Sequence, residues 1–284
     1  MADQIEVDSN AYSDSVYGTS SEYSTESLSS SIYLLDLVHH ICLLMLKNKL
    51  HLSPIGKNPQ RILDIGTGTG IWAIDAGETY PSATVTGTDL SPIQPSWVPP
   101  NVSFQIDDAE SDWTWPPNTF DFIHIRHMTG AIKDWRMLIN QAYKHVKPGG
   151  WVEINEFDIR LYSDDGTLTE ETHIWKFYDL VNKAAAKAGR EFSISAKLRP
   201  FIEDAGFENI TDRMLKLPLN TWPADKAQKE LGAYFLLTAQ SGFEAFGLAL
   251  LTRQLGMTPE EVRVLTDGSK KDAKNRNIHS FAKQ

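Results

Sequence analysis

The sequence predicts an α/β fold built on a mostly parallel sheet with helices on both faces. Three observations carry this. Short apolar runs at 61–65, 83–88, 102–106, 120–126 and 151–154 alternate with helical stretches. Turn residues separate them, as in chained βαβ units. A glycine-rich turn, Gly66 to Gly70, follows the first run and precedes the first helix of that series, where such turns serve ligands.

Residues 1–31 are rich in Ser, Thr, Tyr and acids and poor in aliphatics. That is too little apolar surface to offset ordering entropy, so they read as a disordered tail. From 33 to 50 the chain is apolar nearly all round, with Leu34, Leu35, Leu37, Val38, Ile41 and Leu44. This is the pattern of a buried helix, expected to pack on the sheet. A strand at 61–65, the glycine turn and a helix at 71–78 follow. Next come a β-branched strand at 83–88, a proline-rich loop at 92–100 and a strand at 102–106. The run 120–126 is apolar except for His124, and 134–145 sets Trp135, Leu138, Ile139 and Ala142 on one helix face. Lys147-Pro148-Gly149-Gly150 reads as a turn into the strand 151–154.

After Glu156 the rhythm changes. Helices are expected at 169–189, 198–205 and 226–255, with another starting at Pro259 behind the N-cap Thr258. A strand is expected at 210–217. This region should complete the sheet and supply a helical cover.

Composition narrows the function classes. Of 284 residues, 41% are hydrophobic and 23% charged, ordinary globular usage. One cysteine, Cys42, excludes a disulfide framework or a cysteine metal cluster. Net charge is −10, which argues against a phosphate-tracking nucleic-acid binder. Residues 1–46 hold seven acids and no Lys or Arg, so most of the charge sits there and the remainder is near neutral. The start lacks the bases of a leader. The apolar stretch 33–46, broken by Asp36, His39 and His40, is too short to span a bilayer.

The strongest motif is Asp64-Ile65-Gly66-Thr67-Gly68-Thr69-Gly70. Glycines allow close backbone approach, and the helix start offers N–H groups to negative charge. A dinucleotide fingerprint needs glycine at the first, third and sixth positions. Counted from Gly66 the sixth is Ile71, which disfavours a nicotinamide oxidoreductase. Asp89 ends the second strand, Asp107-Asp108-Ala109 ends the third, and Lys-Pro-Gly-Gly leads into the fifth. All lie at carboxyl ends of strands or beside them, where open α/β sheets bind ligands.

In this set of motifs the chain resembles class I S-adenosylmethionine-dependent methyltransferases. The segments SPIQPSWVPPN at 91–101, DDAE at 107–110, FDFIHIR at 120–126 and KPGGWVE at 147–153 narrow the likeness. They resemble fungal methyltransferases related to the velvet-complex regulator of secondary metabolism, over most of 33–284. The resemblance implies a Rossmann-like methyltransferase domain over 32–284, with helical insertions within 157–270, and S-adenosyl-L-methionine as cofactor. Gly66, Thr67, Gly68 and Gly70 would line its methionyl part, and Asp64 would reach its amino group directly or through water. Asp89 would hold the ribose, Leu90 would lie beside adenine, and Asp108 and Ala109 would flank the adenine edge. Arg126 would touch the cofactor or an acid, and His127 is the candidate base. Glu156 would face the acceptor or cap the sheet.

The implied acceptor is a small-molecule secondary metabolite, in the cytoplasm. The alternative is a regulatory role beside a velvet-type protein partner in the nucleus. No direct nucleic-acid or membrane partner is expected. Two departures from the family pattern predict an incomplete pocket lid and a short sheet edge. One is a missing Tyr-, Gly- and Arg-rich segment ahead of the apolar helix. The other is a final aromatic strand only begun at 279–284.

Overall fold

The computed structural model describes residues 4–6 and 27–284. The expected tail lies outside the described residues, apart from 4–6 and 27–31. Residues 27–31 are helical: they open α1 (Ser27–Met45) instead of ending a tail. The chain divides into two compact units. The first comprises Leu46–Glu156 and Ile194–Arg213. The second comprises the described residues up to Met45, Phe157–Ser193 and Met214–Gln284.

The first unit holds β1 (Arg61–Ile65), α2 (Ile71–Thr79), β2 (Thr84–Asp89), β3 (Val102–Ile106) and β4 (Phe120–Arg126). It continues with α3 (Trp135–His145), β5 (Val146–Asn155) and, after the excursion into the second unit, α5 (Ser195–Ala205). Its five strands are parallel, in the order β3-β2-β1-β4-β5. The two-residue period of a strand sorts the core into two layers. Ile62 of β1 and Phe122 of β4 face Trp72, Ala73 and Ala76 of α2. Leu63, Ile65, Ile123 and Ile125 face Leu138 and Ala142 of α3, with Ile194, Leu198 and Phe201 at α5. Each fully buried Ile or Leu here contributes about 1.5–3 kcal/mol. The Lys-Pro-Gly-Gly segment is no free turn. It lies inside β5, where the register against β4 shifts between Phe120 and Phe122 and Gly149 adopts φ +78°.

The second unit holds α1, β6 (Leu161–Tyr162), α4 (His173–Lys187), β7 (Lys216–Pro218), α6 (Lys226–Leu255), α7 (Pro259–Lys274) and β8 (Phe281–Lys283). Its strands do not complete the larger sheet. They form their own antiparallel sheet in the order β6-β8-β7. β8 is therefore a central strand, not the short edge expected. Only the end of the strand expected at 210–217 forms. α1 packs against α6, not on a sheet. α6 buries Leu231, Gly232, Ala239, Phe243, Gly247 and Leu251 along one stripe. Its 30 residues are long and apolar enough to cross a membrane by length and composition alone, a hydropathy the sequence reading overlooked.

Candidate active site

The candidate site lies in the first unit, where the carboxyl ends of β1, β2 and β4 meet at the point of reversing strand order. Ligands settle at such points in open α/β sheets. Gly66, Gly68 and Gly70 all have positive φ, at 67°, 56° and 82°, the region that L side chains rarely adopt. A side chain would also force its neighbours to move. A Cβ on Gly66 would overlap the Met128 sulfur, and one on Gly70 would overlap the Phe104 ring. The loop is further pinned by Thr67 N–H donating to Thr88 O at 2.9 Å and Gly70 N–H to Thr67 O at 2.9 Å. Gln94 Nε2 donates to Gly68 O at 2.6 Å.

Asp89 ends β2 and is half-buried. Its Oδ2 accepts the Gly68 N–H at 2.8 Å and its Oδ1 accepts the Ser91 N–H at 2.9 Å. Each oxygen has a second lone pair to offer. Leu90, beside it, is 67% exposed, and Ile106, ending the neighbouring β3, is 68% exposed. Two apolar side chains in solvent flanking a carboxylate suit a flat ring that carries a diol. Among the described residues no side chain caps the start of α2, which leaves its first-turn amides for an anion. The residues present therefore fit an adenosyl amino acid. Ile106 was absent from the sequence reading; its signal was an apolar residue just before the Asp-Asp-Ala turn.

Asp64 sits beneath the loop, 2% exposed. Thr67 Oγ1 donates to its Oδ2 at 2.6 Å, and His124 Nδ1 donates to its Oδ1 at 2.7 Å. The strand register makes this inevitable, because Asp64 and His124 are direct partners across β1 and β4. His124 stacks on Trp72 at 3.7 Å and 5°. Burial pushes its pKa down against the pull of Asp64, so the ring is neutral near pH 7 and its Nδ1 carries the proton. Asp64 thus shapes the loop from behind, and both its oxygens are engaged by the protein.

Asp108 is exposed and its Oδ1 accepts the Glu110 N–H at 2.9 Å, closing a local turn. Ala109 is half-buried, and its carbonyl accepts from Trp113 Nε1 and Gln141 Nε2. After β4 the chain turns sharply. His127 takes φ +57° and its N–H donates to Asn155 O at 3.1 Å. Glu156 lies just past β5. It is 4% exposed and accepts from the Met128 N–H, the Thr129 N–H and the Thr129 hydroxyl. Burial raises its pKa to about 7, although those donors and the Arg126 charge pull the other way. Sequence reasoning missed Met128, Phe104 and the work of Glu156.

A family profile described as a methyltransferase domain matches residues 37–212. The chain is 43% identical over 248 residues to the methyltransferase pytC of Aspergillus terreus, covering 87% of this chain and 76% of that one. It is 36% identical over 253 residues to the secondary metabolism regulator LAE1 of Cochliobolus heterostrophus, covering 87% and 82%. Among solved structures it is similar to phosphoethanolamine N-methyltransferase 2 of Haemonchus contortus, with TM-score 0.51 and 19% identity, over 92% of this chain and 57% of that one. At that identity the likeness is one of fold.

Proposed function

We propose, from the premise that this chain belongs to the class I S-adenosylmethionine-dependent methyltransferases, that it methylates a small secondary metabolite. Its cofactor is S-adenosyl-L-methionine, which supplies an already activated methyl group. The protein's work is then to hold and align. Asp89 accepts from the ribose hydroxyls, Leu90 and Ile106 hold the adenine, and the α2 amides take the methionyl carboxylate. His127 takes the proton when the acceptor is a hydroxyl. The observation that carries the reading is Asp89, tied to the glycine loop and flanked by exposed apolar side chains. His127, Met128 and Thr129 are all half-buried, which suits a small acceptor better than a side chain on a folded protein. This reading places the protein in the cytoplasm.

The likeness to LAE1 and, at 34% identity, to the regulator laeA of Monascus pilosus favours a second reading. In it the chain acts in the nucleus beside a velvet-type protein.

Incubation with radiolabelled cofactor and host extract, fractionated into small molecules and protein, tests both. Label in the small-molecule fraction supports the first reading. Label in protein alone, or no label with tight velvet-protein binding, supports the second. Asp89→Ala should lower S-adenosylhomocysteine affinity by about 100-fold, the loss of charge-assisted hydrogen bonds. Unchanged calorimetric affinity would overturn the site assignment.

A further inference from the structure

We propose that Glu156 is a positioning residue, whose carboxylate ties the turn after β4 into the shape that presents His127 and Met128 to the glycine-rich loop. The proposal rests on the reading of that loop as the cofactor site. Three donors converge on Glu156: the Met128 N–H on Oε1 at 2.8 Å, and the Thr129 N–H and hydroxyl on Oε2 at 2.9 and 2.7 Å. Two amides and a hydroxyl aimed at both oxygens call for an acceptor-only group, which a carboxylate is and an amide is not. The turn needs such a tie. His127 stands in the left-handed region, and strained backbone persists only where its surroundings over-determine it. Met128, one residue on, packs so closely over Gly66 that a Cβ there would displace its side chain. The carboxylate is thus two contacts away from the loop floor, through Met128.

Other acids of this sheet clasp backbone too. Glu153 accepts from Leu52 and Ser53, and Asp121 from Gln60 and Arg61. Both are half-buried, whereas Glu156 is buried. A charge held out of water is costly, and at this position it shapes the candidate site.

The charged group of β4 that acts on Glu156 is Arg126, whose charge favours the ionised form. His127 is the titratable side chain of the turn itself. Asp158, two residues beyond, is engaged by the Tyr162 hydroxyl at 3.1 Å. With its pKa at about 7, Glu156 is roughly one-tenth ionised at pH 6. A ligand that needs the ordered turn then binds about tenfold more weakly, by that fraction.

The test is calorimetric titration of the full chain with S-adenosylhomocysteine from pH 6 to 8. Wild-type affinity should rise about tenfold with pH and then level off, with proton release on binding near pH 7. Glu156→Gln should bind at pH 8 about as weakly as the wild type at pH 6, with no pH slope and an intact circular dichroism spectrum. His127→Gln should keep the slope. A flat wild-type profile overturns the proposal, as does a Glu156→Gln variant with wild-type affinity and slope. Loss of the slope in His127→Gln would overturn it by assigning the titration to His127. No binding by the wild type at any pH would instead sink the cofactor-site reading beneath it.

Discussion

Glu156 binds its proton more tightly in the folded protein than in the unfolded chain, where a glutamate titrates near 4.3. The sign of the linkage follows. Its contribution to stability is fully present below about pH 4, declines as pH rises, and is gone above about 7. A neutral replacement escapes that loss. The stability of Glu156→Gln relative to the wild type should therefore shift in favour of the variant between pH 5 and pH 8, on the order of 3 kcal/mol. Urea unfolding at the two pH values measures this, and a constant difference would contradict the buried ionised acid. The variant whose relative stability rises with pH is the one expected to bind less well at pH 8, the usual exchange at a strained site. Not all of this could be read from residue order. Asp89 and the glycines announce themselves, since each ends a strand or forms a turn in one local segment. The bonds from Asp64 to His124 and from Glu156 to Met128 and Thr129 span 60, 28 and 27 positions. They exist only once β1, β4 and β5 lie side by side.

Single elements were legible where their signals were local. β1, β3 and β4 have the expected bounds, because both edges of each carry turn residues or charges. α7 begins where Thr258 and Pro259 say it should, and Glu261 completes the reciprocal cap by accepting the Thr258 N–H at 2.7 Å. Thr258→Ala should lower stability by about 1 kcal/mol, and hydrogen exchange should rise first in the opening turn of α7. Equal exchange in both proteins would show that the cap is redundant. Where an element depends on a distant partner, the reading failed. α1 from Tyr33 onward is apolar nearly all round and offers no single face to predict from. Its neighbour proved to be α6, nearly 200 residues away. The segment 147–150 has turn composition, yet β4 draws it into the sheet as a bulge.

For the molecule as a whole, the βαβ rhythm revealed one unit and hid the other. Parallel strands with short connections repeat a pattern, whereas the second unit is assembled from separated pieces of chain. The sheet unit is itself discontinuous, since Ile194, Leu198, Phe201 and Phe207 supply part of one core layer from beyond a 37-residue excursion. A fragment of residues 46–156 should therefore expose that apolar layer, bind a hydrophobic dye and aggregate. A peptide of residues 194–213 added in trans should reduce dye binding. A monodisperse, dye-silent fragment would show that α5 is dispensable. The central place of β8 has a consequence for biosynthesis. Residues 281–283 pair on both sides, with β6 and β7. Until the ribosome has released them, those two short strands have no common neighbour to join. The helical unit must therefore wait for residue 283, while the residues of the larger sheet unit have already emerged by residue 213. Newly made chains would thus pass through a stage with one unit closed and apolar helices still seeking cover, when chaperones matter most.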